Sequence, residues 1–522
     1  MVQRSFEWRG DRRQLLALGA GAAAFLSGCD SRTPRAARPP AKPGDPWIGG
    51  TLRVAQVGDV GTSDGHLNAG YDSFWLTYDR LIRYDSQMNP LPMLAKGWEV
   101  ENDGQRIILH LRDDVKFHTG RPFTSADVKY NFERIRQPSI GAGALARQAR
   151  WFDVSTPDRH TAVLSSGQPR PSAFDLLEYL NMVDRETMER QDAKGRAVGT
   201  GPFILQEWNP GIDIRFVRNP HYWDNPRPYL DEIIVVITPD PLSLVAQLEA
   251  GAVDMINRVQ ARDLLRLERS SDFRTLTNQH APIYAMTVNT TLAPFNNKDV
   301  RKALSYALDR KRFVRTILGG LAKPQLLPWP DDAFPFPMDR PDIEAAYDLD
   351  KARFYLKRAG VGRFSLDMIW SSSYGDLKGL AEIYQGDLAK IGIDAKLRPL
   401  EANLWRAEQQ GPSYKGLNLT FVGPTHLHPQ TVLELRNYAP TGNAAGFSSP
   451  AYTALAEEVR RTGDERRLQS LIARLNEFFL DEMFVIPVSG HPVSIVTRRN
   501  VKGVEYTMHE ALRFDRAWIE QA

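Results

Sequence analysis

Apolar and polar positions alternate over short stretches of this chain, and between them apolar residues recur every three or four positions. TLRVAQV (51–57) reads as a strand running into a Gly-rich loop, and QRIILHLRDDVKF as a second strand behind an Asn102-Asp103-Gly104 hairpin-type turn. IDIRFVRNPHYW is a strand closed by an Asn-Pro turn, DEIIVVITPD is a buried strand, and IYAMTVNTT, FSLDMIW, DAKLRPL and FVIPVSG are further strands. Helical spacing puts Val128, Phe132 and Ile135 on one face behind a Thr124 cap, with Asp127 at the third helical position and Phe123 poised against Val128. A helix over Pro241–Ala250 is stopped by Gly251, and DVRKALSYALDRKRFVRTILGG reads as one helix ended by two glycines. DKARFYLKRAG, LAEIYQGDLAKIG, a Ser449-capped PAYTALAEEVRRTG and DERRLQSLIARLNEFFLDEM supply more helices. Strands and helices alternate through most of the chain, which predicts α/β layers.

The first residues break that pattern. Asp11-Arg12-Arg13-Gln14 precedes an apolar run, Leu15 to Leu26, rich in Ala and Gly and followed by small residues. A charged start, a short apolar middle and a small-residue end describe an export signal over residues 1–28. A membrane-crossing helix would need about 20 apolar residues. Twin arginines leave the folded-protein export route open beside the general one. Leu26-Ser27-Gly28-Cys29 looks like a bacterial lipobox, with Cys29, the chain's one cysteine, as the lipidated first residue. Residues 29–46 then run SRTPRAARPPAKPGDP after the cysteine and its aspartate, a composition that forms an extended tether and buries nothing. The folded body starts near Trp47.

The chain has 522 residues with 66 basic and 63 acidic side chains; residues 1–28 hold four and two of them, leaving 62 against 61. So near a balance carries no basic stripe for nucleic acid. The remaining length supports two or three domains with real cores, stabilised by packing with no disulfide.

Four stretches resemble a known family. LAKGWEVENDGQRIILHLRDDVKFHTGRPFTSADVKYNFERI (94–135), AVGTGPFILQEWNPGIDIRFVRNPHYWDNPRPYLDEIIV (197–235), VNTTLAPFNNKDVRKALSYALDR (288–310) and YDLDKARFYLKRAG occur in the order found in the extracellular solute-binding proteins of family 5, the peptide, nickel and oligopeptide receptors of ABC importers. The resemblance runs from about Thr51 to Trp518. It implies a two-lobed periplasmic-binding-protein-like α/β fold with hinge strands, closing on a solute. Lobe I is expected over 47–288 plus 489–522, with an extra subdomain at about 85–198, and lobe II over 289–488. Gly97, Trp98, Phe117, Gly201 and Phe203 within the shared blocks read as turn and packing residues.

The resemblance also points to the ligand. Peptide-binding members carry Trp-x-x-Asp soon followed by Asp-Pro in lobe II, and the first Asp pairs with the ligand's ammonium. Here the matching stretch is FVGPTHLHP (421–429), which sets Val422 at the tryptophan, Thr425 at the amine-binding Asp and His428 at the later Asp. Thr hydrogen-bonds but cannot neutralise an ammonium, so simple free-amine peptides lose their anchor. His426 and His428 form an HxH pair with no nearby carboxylate or cysteine, so no metal is expected and the pair reads as polar loop histidines. Trp370 and Tyr374, flanking Ser371-Ser372-Ser373, sit where a ligand-facing loop belongs, and suit a sugar or a flat organic acid. Asn68, Tyr71 and Trp75 follow the first strand, and Trp405 can reach the cleft from a helix face.

The sequence lacks HExxH, GxSxG and GxxxxGK, so no catalytic motif competes with binding. The expectation is a receptor without chemistry or cofactor of its own. It is monomeric, faces the periplasm or cell surface and serves an ABC permease, with a peptide receptor, a sensor or scaffold, and an exported enzyme as alternatives.

Overall fold

Residues Thr51–Gln56 form β1 because their apolar positions fit between two parallel neighbours, Glu232–Ile237 on one side and Met255–Asn257 on the other. The structure, a computed structural model, describes residue 42 and residues 44–67, 75–85, 88–140, 143–190, 197–278, 282–329, 346–423, 428–507 and 511–521. All of these belong to one compact unit, 36–522. The export signal, Cys29 and nearly all of the tether lie outside the described residues, as do Asn68, Tyr71, Thr425 and His426.

Along the chain, β2 (Ile82–Tyr84) and β3 (Pro90–Pro92) form a ribbon, and β4 (Ala95–Glu101), β5 (Arg106–Leu111), β6 (Asp153–Asp158) and β7 (Thr161–Ser165) a four-stranded antiparallel sheet. The β4–β5 turn is the one the sequence indicated, with Asn102, Asp103 and Gly104 at φ of 50°, 53° and 82°, a conformation these residue types tolerate. Thr124 and Asp127 make a reciprocal capping box on the helix Ser125–Ile135, whose Val128 and Phe132 pack with Leu109, Phe117 and Leu176.

β8 (Phe203–Asn209), β9 (Asp213–Arg218), β10 (Glu232–Ile237), β11 (Met255–Asn257) and β12 (Phe273–Asn278) join β1 in a second sheet. A third sheet holds β13 (Ile283–Val288), β14 (Phe364–Ser371), β15 (Ile393–Leu400), β16 (Gly416–Val422) and β17 (Val485–Gly490) in the order β15-β14-β16-β13-β17. Then β18 (Val493–Arg498) returns to the second sheet, giving β12-β18-β11-β1-β10-β9-β8.

Two expectations need correction. β13 belongs to the five-stranded sheet, where all six of its residues are buried between antiparallel β16 and β17, and β17 stays in that sheet to Gly490. The chain thus leaves the second sheet after Asn278 and enters the third at Ile283, and returns between Gly490 and Val493, displaced from 288/289 and 488/489, because IYAMTV is a fully buried, mostly apolar run suited to a sheet centre. The single helix expected over 299–320 is two, Lys298–Tyr306 and Arg310–Thr316. Asp309 restarts it by accepting from Arg312 N at 2.9 Å, and Arg310 turns inward to Pro487 O (2.9 Å) and Ser305 O (3.0 Å).

Among the described residues no helix is long and apolar enough to cross a membrane.

Candidate functional site

Strand direction fixes where a site can form. β1, β10, β11 and β12 run parallel, so their C-terminal ends share one edge with the start of β18. In the five-stranded sheet the C-terminal ends of β14, β15, β16 and β17 share an edge with the start of β13. The two crossings join these edges, and they are tied together where His491 N donates to Pro282 O at 2.7 Å. Open α/β sheets bind ligands beyond the carboxyl ends of their strands.

That edge of the five-stranded sheet carries an aromatic cluster. Tyr284 at the start of β13, Phe421 near the end of β16 and His491 in the return crossing meet at ring distances of 4.8–5.2 Å. Tyr374 stands edge-on to Phe421 at 4.9 Å and to Trp405 at 6.0 Å, and remains 40% exposed. The Trp405 indole donates to Asn418 Oδ1 at 2.8 Å, which fixes its ring. Asp376, in the first turn of the helix Gly375–Ala389, accepts the Tyr284 hydroxyl at 2.8 Å. Burial raises the Asp376 carboxyl above its ordinary range, against that hydrogen bond. Burial, with Arg258 adding to it, lowers His491 to about 3, so the ring is neutral at pH 7. Among the described residues its buried Nδ1 has no hydrogen-bond partner.

Arg258 faces this cluster from the other sheet. It follows β11 with φ of 56°, its N–H held by Asn257 Oδ1 at 2.8 Å. A left-handed arginine is unusual enough to mark a constrained position. Its charge acts on both Tyr284 and His491, which places it close to the aromatic cluster.

A separate set of contacts bridges the four-stranded layer and the helices behind the five-stranded sheet. Asp175, 1% exposed, accepts from His428 N (3.0 Å), Thr431 Oγ1 (2.7 Å) and Tyr84 Oη (3.0 Å). Arg147 donates to the Glu434 carbonyl, and the Glu434 carboxylate pairs with Arg460 at 2.6 Å.

The sequence candidates divide accordingly. Tyr374 and Trp405 lie in the aromatic cluster. Trp370 does not: its side chain packs in the core with Leu366, Met368 and Leu380, because inward positions of β14 alternate with outward ones. Trp75 stands edge-on to Tyr179 at 6.1 Å and under Arg80, away from the cluster. His428 caps a short helix, its Nδ1 accepting from Gln430 N at 3.3 Å, and burial lowers its pKa. Among the described residues no group of three His, Cys, Asp or Glu could hold a metal. Tyr284, Phe421, Asp376, His491 and Arg258 escaped sequence reasoning. His491 alone had a signal, since it follows the return strand VIPVSG.

Two mixed sheets joined by paired crossings, with the site at their facing edges, define the two-lobed periplasmic-binding-protein fold. Residues 89–437 match the family described as bacterial extracellular solute-binding proteins, family 5 Middle, and the chain belongs to that family. Among curated relatives, heme-binding protein A of Haemophilus influenzae is 28% identical over 350 residues, covering 60% of this chain and 63% of the relative. The nickel-binding periplasmic protein of Escherichia coli is 26% identical over 484 residues, covering 86% and 90%. Among solved structures, AgaA from A. tumefaciens in complex with agropinic acid superposes with a TM-score of 0.80 at 24% identity, covering 91% of this chain and 99% of that one. DppA from Helicobacter pylori with peptide STSA gives 0.79 at 22%, with the same coverage.

Proposed function

We propose that this chain is the receptor of an ABC importer, exported, held at the membrane through lipid on Cys29, and acting as a monomer that delivers its solute to a permease. Binding energy goes into the closed state, which the permease recognises. The solute is a flat, carboxylate-bearing organic compound and not a simple free-amine peptide. One observation carries this reading: an aromatic cluster facing a constrained Arg258, while the cluster's one carboxyl, Asp376, is held by Tyr284 and pushed toward its neutral form. Aromatic faces take a planar body, and a guanidinium takes a carboxylate in a fork. The Thr425 argument points the same way, since the ammonium-binding Asp of peptide receptors is missing there. The relatives are named for heme, glutathione and nickel, so membership alone does not choose the solute.

Asp376 also supports a second reading, a peptide receptor in which this carboxylate takes the ligand's ammonium. Melting of the purified protein against aromatic and polycarboxylic acids, free-amine peptides and their N-acetyl forms decides between them. A ligand at 100 times its dissociation constant adds about 2.7 kcal/mol. Aromatic acids should raise the melting temperature, and Arg258→Ala should abolish the rise. A rise with free-amine peptides, lost on acetylation, overturns the anionic reading.

A further inference from the structure

Three contacts outside the aromatic cluster cross from the first lobe to the second. Each joins the four-stranded layer, with its helices, to residues 428–463. Asp175, in the helix Ala173–Tyr179, accepts from His428 N and Thr431 Oγ1. Arg147, in the helix Ala144–Ala149, donates to the Glu434 carbonyl, and its Nε lies 3.7 Å from the Glu434 carboxylate. The third contact is steric. Gly463, between the helices Pro450–Arg461 and Glu465–Glu482, lies against Asp103 of the β4–β5 turn, and a Cβ on it would stand 2.5 Å from Asp103 Cγ. Arg170 is tied to that turn where its N–H donates to Asp103 O at 2.7 Å. The largest charges acting on it, Glu457, Glu434, Arg460 and Arg461, all belong to the second lobe.

These contacts are built to part. Among the described residues, the core of the four-stranded layer draws its buried side chains from 81–182 and the core opposite from 283–485, so neither apolar cluster reaches across. Polar interfaces of this kind open, whereas permanent ones are apolar. Each buried carboxylate also keeps a partner on its own side: Asp175 retains Tyr84 Oη, and Glu434 retains Arg460. Opening therefore strands no charge. Every group belongs to the chain, and none is in the aromatic cluster, so the contacts form with or without a solute.

We infer that the four-stranded layer is the latch of the receptor: it docks on residues 428–463 whenever the lobes close, and its strength sets how often they do so. Closure of the two lobes is all the latch requires, whichever solute fills the cleft. A solute that binds the closed form gains affinity in proportion to the closed fraction, so the latch scales the affinity for every solute alike. Pulsed electron resonance between spin labels on Glu133→Cys and Glu382→Cys, one in each lobe, reads the closed and open populations of the full chain. Those side chains are 55% and 56% exposed, and Cys29→Ser removes the one native thiol. Gly463→Val is the informative variant, since residue 463 is exposed and its nearest neighbours are atoms of Asp103. Without added solute the parent should show a closed population, and Gly463→Val should lower the closed-to-open ratio by about tenfold or more. Adding Asp103→Gly should restore most of that ratio, because it vacates the space the valine takes and suits the φ of 53° there. A folding defect at residue 463 would not be repaired this way. Arg147→Met should lower the ratio by itself. No closed population in the parent, an equal ratio in the parent and either variant, or a loss that Asp103→Gly leaves in place overturns the latch.

Discussion

Asp175 offers the sharpest test of how the molecule closes. Its buried carboxylate takes three hydrogen bonds, and two of them, from His428 N and Thr431 Oγ1, span between the four-stranded layer and the second lobe. Hydrogen bonds to a charged group contribute about 1.5–3 kcal/mol each when a partner is removed from a buried site. Water reclaims part of that once the contact opens, so Asp175→Ala should weaken the bridge by about 3 kcal/mol, a factor of about 100 in the local opening equilibrium. Hydrogen exchange read by mass spectrometry over the segment 428–435 reports that opening. Protection there should fall about 100-fold, while β13 and β16 stay protected. Thr431→Val should give roughly half the effect in free energy. Tyr84→Phe removes a bond made from within the first lobe and should leave 428–435 protected. Unchanged exchange in Asp175→Ala would refute the bridge.

Three further outcomes follow from buried groups. Gly201→Ala places a Cβ 2.6 Å from the Thr77 carbonyl carbon and should destabilise by about 1–3 kcal/mol, visible as a lowered melting temperature. Arg310→Met removes the side-chain donor to Pro487 O, Ser305 O and Ser305 Oγ; it should cost about 3 kcal/mol by denaturant titration. Burial holds His118 at about 4, against an ordinary 6.5, while its Nε2–H donates to Gly201 O at 3.0 Å. Below pH 6.5 the unfolded chain binds a proton that the folded one refuses, so stability is full above that pH and falls by about 3 kcal/mol toward pH 4. His118→Gln should shrink the difference between denaturation midpoints at pH 7 and pH 4.5, the remainder coming from other buried histidines such as His491; an unchanged difference would exclude His118 as a contributor.

Most of the layer structure was legible because it is written in local pattern. The Thr124–Asp127 box, the Asn102–Gly104 turn and the helix from Pro241 stopped at Gly251 all rest on residues a few positions apart. The crossings were misplaced because IYAMTV looks the same whether it ends one sheet or centres another; its neighbours, β16 and β17, come more than a hundred residues later. Of the sequence candidates only Tyr374, just ahead of a helix, and Trp405, on a helix face, fall in the aromatic cluster. Trp370, four residues before Tyr374, looked equivalent, but strand alternation turns it into the core. Arg258, Asp376 and His491 belong to three separate segments brought together by the fold, and no spacing rule connects them.

The return of β18 to the first sheet carries a consequence for biogenesis. The second lobe's strands are contiguous in sequence, 283 to 490, and can pair as soon as they are available. The first lobe cannot finish with them: β18 sits between β12 and β11, and its register pairs Phe273 with Arg498 and Met255 with Thr497. A chain arrested before Val493 has a complete second lobe beside a first lobe split along an open seam. Two facing rows of unpaired backbone groups line that seam, the kind of edge on which foreign strands add. A truncation that removes β18 should therefore disturb assembly of the first sheet before it disturbs binding.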